Sequence, residues 1–97
     1  MHVDSQETLN ICAERVGWRE VGEEVVVFDL RSSTYFTLNH SGAVMWRHLA
    51  QGATVEQLKT TLVDTYGISP ESARDDADAF VDSCLDRDLL RRSPANA

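Results

Sequence analysis

The stretch Val25 to Asn39, reading VVVFDLRSSTYFTLN, decides the fold of this chain. Val25 to Leu30 is β-branched and aromatic, which suits a pleated, half-buried strand. Arg31-Ser32-Ser33 breaks the run, and Thr34-Tyr35-Phe36-Thr37-Leu38 resumes the same chemistry until Asn39. By period two, Val26, Phe28 and Leu30 share one face, as do Phe36 and Leu38. The expected element is a hairpin with one apolar face. A lone hairpin is marginal in water, so it must pack against something else.

Upstream of the hairpin, Met1 to Glu7 is polar and reads as frayed. Thr8 to Ala13 alternates weakly and reads as a first strand. Arg15 to Glu24 holds Gly17, Gly22 and several charges, and reads as a connection with ragged strand ends. Trp18 within it has two readings, a binding anchor or the residue that closes one end of a small core.

Downstream the period becomes helical. Asn39 or Ser41 can cap a helix through a side-chain oxygen. Ala43, Val44, Met45, Trp46, Leu49 and Ala50 then form an apolar stripe, stopped at Gly52. Thr54 with Gln57 has the spacing of a capping box for a second helix, which buries Val55, Leu58, Leu62 and Val63 and closes at Gly67. Ser69-Pro70-Glu71 is a helix start. Ala73, Ala77, Phe80, Val81, Cys84 and Leu85 follow at spacings of three and four. Leu89 and Leu90 dock the end of that helix or a short tail, and Arg91 to Ala97 reads as disordered. Strands followed by helices imply an α+β domain with an antiparallel sheet. The expected fold is winged helix-turn-helix-like: a three-stranded antiparallel sheet followed by three helices. Residues 1–97 form one domain, with its ordered core at about 8–90.

The chemistry of the chain excludes more than it offers. A net charge of −7 opposes nucleic-acid binding, which rests on Lys and Arg neutralising phosphates. No apolar run reaches the length of a membrane span, and no signal peptide is visible. Cys12 and Cys84 form no CxxC and read as reduced cytosolic thiols, hence a cytoplasmic protein. His2, His40 and His48 sit at no metal-ligand spacing, so no metal or cofactor is expected. No P-loop, GxGxxG or GxSxG is present. A cysteine on the apolar stripe of a helix is a poor nucleophile. The expectation is therefore a protein that is not an enzyme.

The run VVVFDLRSSTYFTLNHSGAVMW resembles the signature of the PqqD-like family of precursor-peptide recognition proteins. The pattern is an apolar strand, a polar turn, an aromatic strand ending in Leu38-Asn39, the linker Ser41-Gly42-Ala43, and the helix start Val44-Met45-Trp46. Tyr66-Gly67-Ile68-Ser69-Pro70-Glu71 and Leu89-Leu90 also resemble the family's later junctions. The likeness spans about Leu9 to Leu90. The turn Arg31-Ser32-Ser33 departs from it by lacking a glycine, and Trp18 to Gly22 departs as well.

The resemblance implies a domain that binds the leader segment of a ribosomally made precursor peptide. In the family the leader adds a strand to an open sheet edge and lies against the third helix. Carried over, the edge is Thr34, Tyr35, Phe36, Thr37 and Leu38. On the helix, Ala73 and Ala77 let the peptide backbone approach, while Phe80 and Val81 wall an apolar pocket; Cys84 completes the leader-binding set. Asp75 and Asp76 form an acidic rim for a leader carrying lysines, or are simply a solvated face. Ala73, Ala77, Phe80 and Cys84 also have the plain reading of core packing. Within the family, the chain most resembles the stand-alone leader-binding partner of lasso-peptide pathways. That resemblance implies presentation of the precursor to a separate cysteine protease (transglutaminase-like), with a cyclase acting afterwards. The alternatives are the peptide chaperone of pyrroloquinoline quinone synthesis, which serves a radical enzyme, and a winged-helix transcription regulator. Against the regulator, the second helix holds one Lys against Glu56 and Asp64.

Overall fold

The computed structural model describes residues 5–93. Expectations for Met1 to Asp4 and Pro94 to Ala97 lie outside the described residues. The elements run β1 (Thr8–Ile11), β2 (Val16–Val21), β3 (Glu24–Asp29), β4 (Thr34–Leu38), α1 (His40–Leu49), α2 (Val55–Tyr66), α3 (Pro70–Asp86) and β5 (Leu90–Ser93). β2, β3 and β4 form the antiparallel sheet, and the three helices follow it, as an α+β winged helix-turn-helix-like domain requires.

The membership of the sheet differs from the sequence reading in two places. Arg15 to Glu24 is not a connection: Val16–Val21 is a strand, paired with β3 from Val16↔Asp29 to Val21↔Glu24. Gly22-Glu23 is its two-residue turn, with Gly22 at φ +65 where such a turn needs a positive φ. The first strand, Thr8–Ile11, is not part of that sheet. It pairs with β5, from Thr8↔Ser93 to Ile11↔Leu90. Arg91 to Ser93 are therefore ordered strand rather than tail. Arg91 bonds Glu14 at 2.8 Å and Arg92 bonds Glu7 at 2.8 Å, so this polar ribbon is also tied by charge.

The buried face of β3 is Val25 and Val27, not Val26, Phe28 and Leu30. The register sets Val25 opposite Leu38 and Val27 opposite Phe36. The apolar face foreseen on β4 is thus matched by the other phase of β3. Phe28 lies opposite Tyr35 on the outer side, where Tyr35 is 69% exposed and Leu30 is 53% exposed. Inside, α1 lays Ala43, Met45, Trp46 and Leu49 on the sheet, and α2 packs along α3. Trp18 stands edge-on to the buried Trp46, with ring centroids 6.4 Å apart, and so closes one end of the core.

The helix ends follow their local signals. Asn39 caps α1 by accepting from Gly42 N. Thr54 and Gln57 make a reciprocal capping box on α2, and Ser69 caps α3 ahead of Pro70. α3 ends without a glycine. Asp88 takes the left-handed conformation at φ +59, Leu89 N donates to Cys84 O at 2.9 Å, and Asp88 N donates to Leu85 O at 3.0 Å. This is the paired bonding of a Schellman stop, and it turns Leu89 and Leu90 into the core.

Candidate functional site

β4 has β3 on one side and, among the described residues, no strand on the other. Its free edge runs beside the C-terminal half of α3. The two elements run antiparallel. A Cβ placed on Gly42 would lie 3.3 Å from the Phe80 ring and 3.5 Å from Leu38 Cβ, so Phe80 sits at the end of β4. About two turns further on, at the C-cap of α3, the Arg87 guanidinium lies over the Phe36 ring, 4.9 Å from its centroid. Beyond that, Arg31 of the β3–β4 turn bonds Asp88 at 2.6 Å and joins the hairpin tip to the end of α3. The turn itself holds its shape without glycine. Asp29 Oδ1 accepts from Arg31 N, and Ser33 takes φ +57. Burial opposes the Asp29 charge, but bonds from Arg31 and Ser32 outweigh it and hold the carboxyl below its ordinary range.

Between edge and helix lies a groove of about 350 Å³, open to solvent. Its walls are Phe36, Thr37, Leu38 and Asn39 on one side, and Phe80, Ser83, Cys84, Arg87 and Leu89 on the other. An open edge offers unpaired backbone N–H and C=O groups, and nothing in β4 blunts it: no proline and no charge. The arrangement suits an extended peptide. Backbone bonds to β4 would grip any sequence, and alternate side chains would enter the groove.

Of the residues singled out from sequence, the groove brings together Phe36, Thr37, Leu38, Phe80 and Cys84. Thr34 and Tyr35 stand on the same edge, but Tyr35 shares the outer face of the sheet with Phe28. Ala73, Ala77 and Val81 are fully or nearly fully buried, on the core side of α3 rather than in the groove. Small size at Ala73 and Ala77 therefore serves close packing inside the domain. Asp75 and Asp76 are exposed on the N-terminal half of the helix, outside the groove lining. Sequence reasoning did not single out Asn39, Ser83, Arg87 and Leu89 as lining residues. The signal was available in part, since Ser83 and Arg87 continue the Phe80 stripe at i+3 and i+7.

Cys84 is not activated as a nucleophile. Cys84 is 4% exposed, and burial pushes its thiol up to about 12 even with Arg87 nearby opposing the shift. Cys12 and Cys84 are both free. His40 Nδ1 faces the Tyr66 hydroxyl at 2.6 Å, a contact that ties the start of α1 to the end of α2. Among the described residues, no cluster of His, Cys, Asp and Glu could hold a metal ion. No helix among them is long and apolar enough to cross a membrane.

The family profile described as Coenzyme PQQ synthesis protein D (PqqD) matches residues 24–90. No curated protein matches the chain. Among solved structures, the chain is similar to TbiB1 in complex with the TbiA(beta) leader peptide. There the TM-score is 0.78 at 24% identity, over 84% of this chain and 94% of that one. It is also similar to a lasso peptide synthetase B1 complexed with the leader peptide. That match has a TM-score of 0.75 at 20% identity, over 86% of this chain and 96% of the other.

Proposed function

Since the chain belongs to the PqqD family, we propose that its open β4 edge binds the leader segment of a ribosomally made precursor peptide by strand addition. The carrying observation is the unpaired edge beside an apolar groove, set between β4 and the C-terminal half of α3. Both structurally similar proteins hold a leader peptide, which supports the same class of ligand here. In this reading the domain does no bond-making of its own. It delivers the precursor, in the cytoplasm, to a separate cysteine protease of a lasso-peptide pathway, with a cyclase acting afterwards. A buried thiol pushed up to about 12 supports the absence of self-catalysed cleavage.

A second reading starts from the family description, a protein of coenzyme PQQ synthesis: the domain would then act as a peptide chaperone for a radical enzyme in cofactor synthesis. The DNA-binding alternative loses ground on charge. Lys59, the one cation of α2, is paired with Glu56 at 2.6 Å, and with Asp64 the helix carries more acid than base. The test is a titration of labelled leader from a co-encoded precursor, followed by incubation of that precursor with this protein alone and with its partner enzymes. Saturable binding is expected, with cleavage only when a protease is added. Absence of binding, or cleavage by the protein alone, overturns the proposal. Stimulation of a radical enzyme and not of a protease selects the second reading.

A further inference from the structure

The sequence has nine Lys and Arg against sixteen Asp and Glu. Seven of the nine cations are spoken for. Arg15 and Arg31 reach Asp88, Arg47 reaches Glu20, Lys59 and Arg74 reach Glu56, Arg91 reaches Glu14 and Arg92 reaches Glu7. Among the described residues, Arg19 and Arg87 have no carboxylate partner. Arg19 is on the outer face of the sheet, opposite Val26. Arg87 is in the groove, where no other lining residue is charged. The acids nearest to it in sequence are turned elsewhere. Asp88 is bound by Arg31, and Asp82, Asp86 and Asp88 line a separate concavity with Leu90 and Arg92.

In so acidic a chain, a guanidinium left unpaired in a peptide-sized groove is an unfilled half of an ion pair. Its position over the Phe36 ring holds the group in place while leaving N–H edges free for a carboxylate. A helix C-terminus favours a cation by itself. That explains the sign of the charge, not its placement over a groove residue. The spacing adds a second constraint. Arg87 sits at Phe36 and Phe80 at the Leu38 end of β4, and Phe36 and Leu38 are two residues apart on one strand face. A strand laid beside β4 presents its own residues two apart, about 7 Å, to the same two points in either direction.

We propose that Arg87 is a specificity-determining residue of the groove. It selects a strand that carries Asp or Glu two residues from the apolar side chain packed on Phe80. This inference rests on the strand-addition reading above.

The test is selection from a display library of random dodecapeptides on the parent, Arg87→Gln and Arg87→Glu, with unfolding midpoints measured alongside. Arg87 is exposed and ion-unpaired, so all three should fold. The parent should enrich Asp or Glu two positions from an apolar residue, and Arg87→Glu should enrich Lys or Arg there. Amidating the acid of a parent-selected peptide should weaken parent binding roughly tenfold and leave Arg87→Gln unmoved, the signature of a direct pair. Peptides that need Phe80 but show no acidic position, or identical selections by parent and Arg87→Glu, overturn this inference alone. Recovery of no peptide, or of peptides indifferent to Phe80→Ala, overturns the strand-addition reading and this inference with it.

Discussion

Replacing Phe80 by Ala separates the groove from the core, because this ring belongs partly to both. It packs against the buried cluster and also walls the groove. A fully buried Phe→Ala change costs about 3–5 kcal/mol. Phe80 is only half-buried, so about half of that, roughly 2 kcal/mol, is the expected loss of stability. Domains of this size have about 5–15 kcal/mol in hand, so the variant should remain folded at room temperature. On the peptide side, losing the ring removes on the order of 50 Å² of apolar contact, worth about 1.2 kcal/mol at roughly 25 cal/mol/Å², hence nearly tenfold in affinity. The assay is urea unfolding of parent and variant, paired with a fluorescence-anisotropy titration of a labelled leader. Phe80→Leu, which keeps most of the packing, should fall between the two. If Phe80→Ala is folded and binds the leader with parental affinity, the groove is not where the peptide lies.

Three other outcomes are expected. Ser33 holds φ +57 in the β3–β4 turn, so Ser33→Gly should raise stability by about 0.5–1 kcal/mol; an unchanged urea midpoint refutes this. The Cys84 thiol lies above its ordinary 9.0, at about 12, so the folded state holds the proton more tightly than the unfolded one. Its contribution to stability should be complete below pH 9.0 and fade as the pH rises toward 12. Alkylation at pH 8 should reach Cys12 and spare Cys84, and equal labelling of both thiols in the folded protein contradicts the burial argument. Asp76 lies four residues before Phe80, on the groove stripe of α3, whereas Asp75 is turned to the next face. We propose that Asp75→Asn with Asp76→Asn slows leader association and flattens its salt dependence, at a cost of about 0.2–1 kcal/mol, with Asp76 carrying most of the effect. Identical salt slopes for parent and double variant leave both acids a solubility role.

What the sequence determined by itself is what short-range chemistry determines. The Thr54–Gln57 box, Ser69 before Pro70, and Gly67 in the left-handed conformation at φ +65 each act within one helical turn, and each is present as read. The β3–β4 hairpin was legible for the same reason, whereas its open edge was read through the family resemblance. Tertiary structure decided the rest. Three consecutive valines make β3 apolar on both faces, so period two has no phase of its own. Val25 and Val27 turn inward because Leu38 and Phe36 stand opposite them and α1 covers that side. β2 was hidden because Gly17, Arg19 and Glu20 read as loop chemistry, although Arg19 faces outward and Glu20 bonds Arg47 at the rim of the core. β5 reads LRRS, too short and polar to signal a strand, and exists because β1, from nearly the other end of the chain, pairs with it, Ile11 opposite Leu90, with Leu9 and Leu90 both buried. The roll of α3 followed from packing as well. Its N-terminal half turns Ala73 and Ala77 into the domain, which leaves the stripe of Phe80, Ser83 and Arg87 to face the free edge of β4. No window along the sequence contains that choice, because it depends on which surfaces the other two helices and the sheet had already covered.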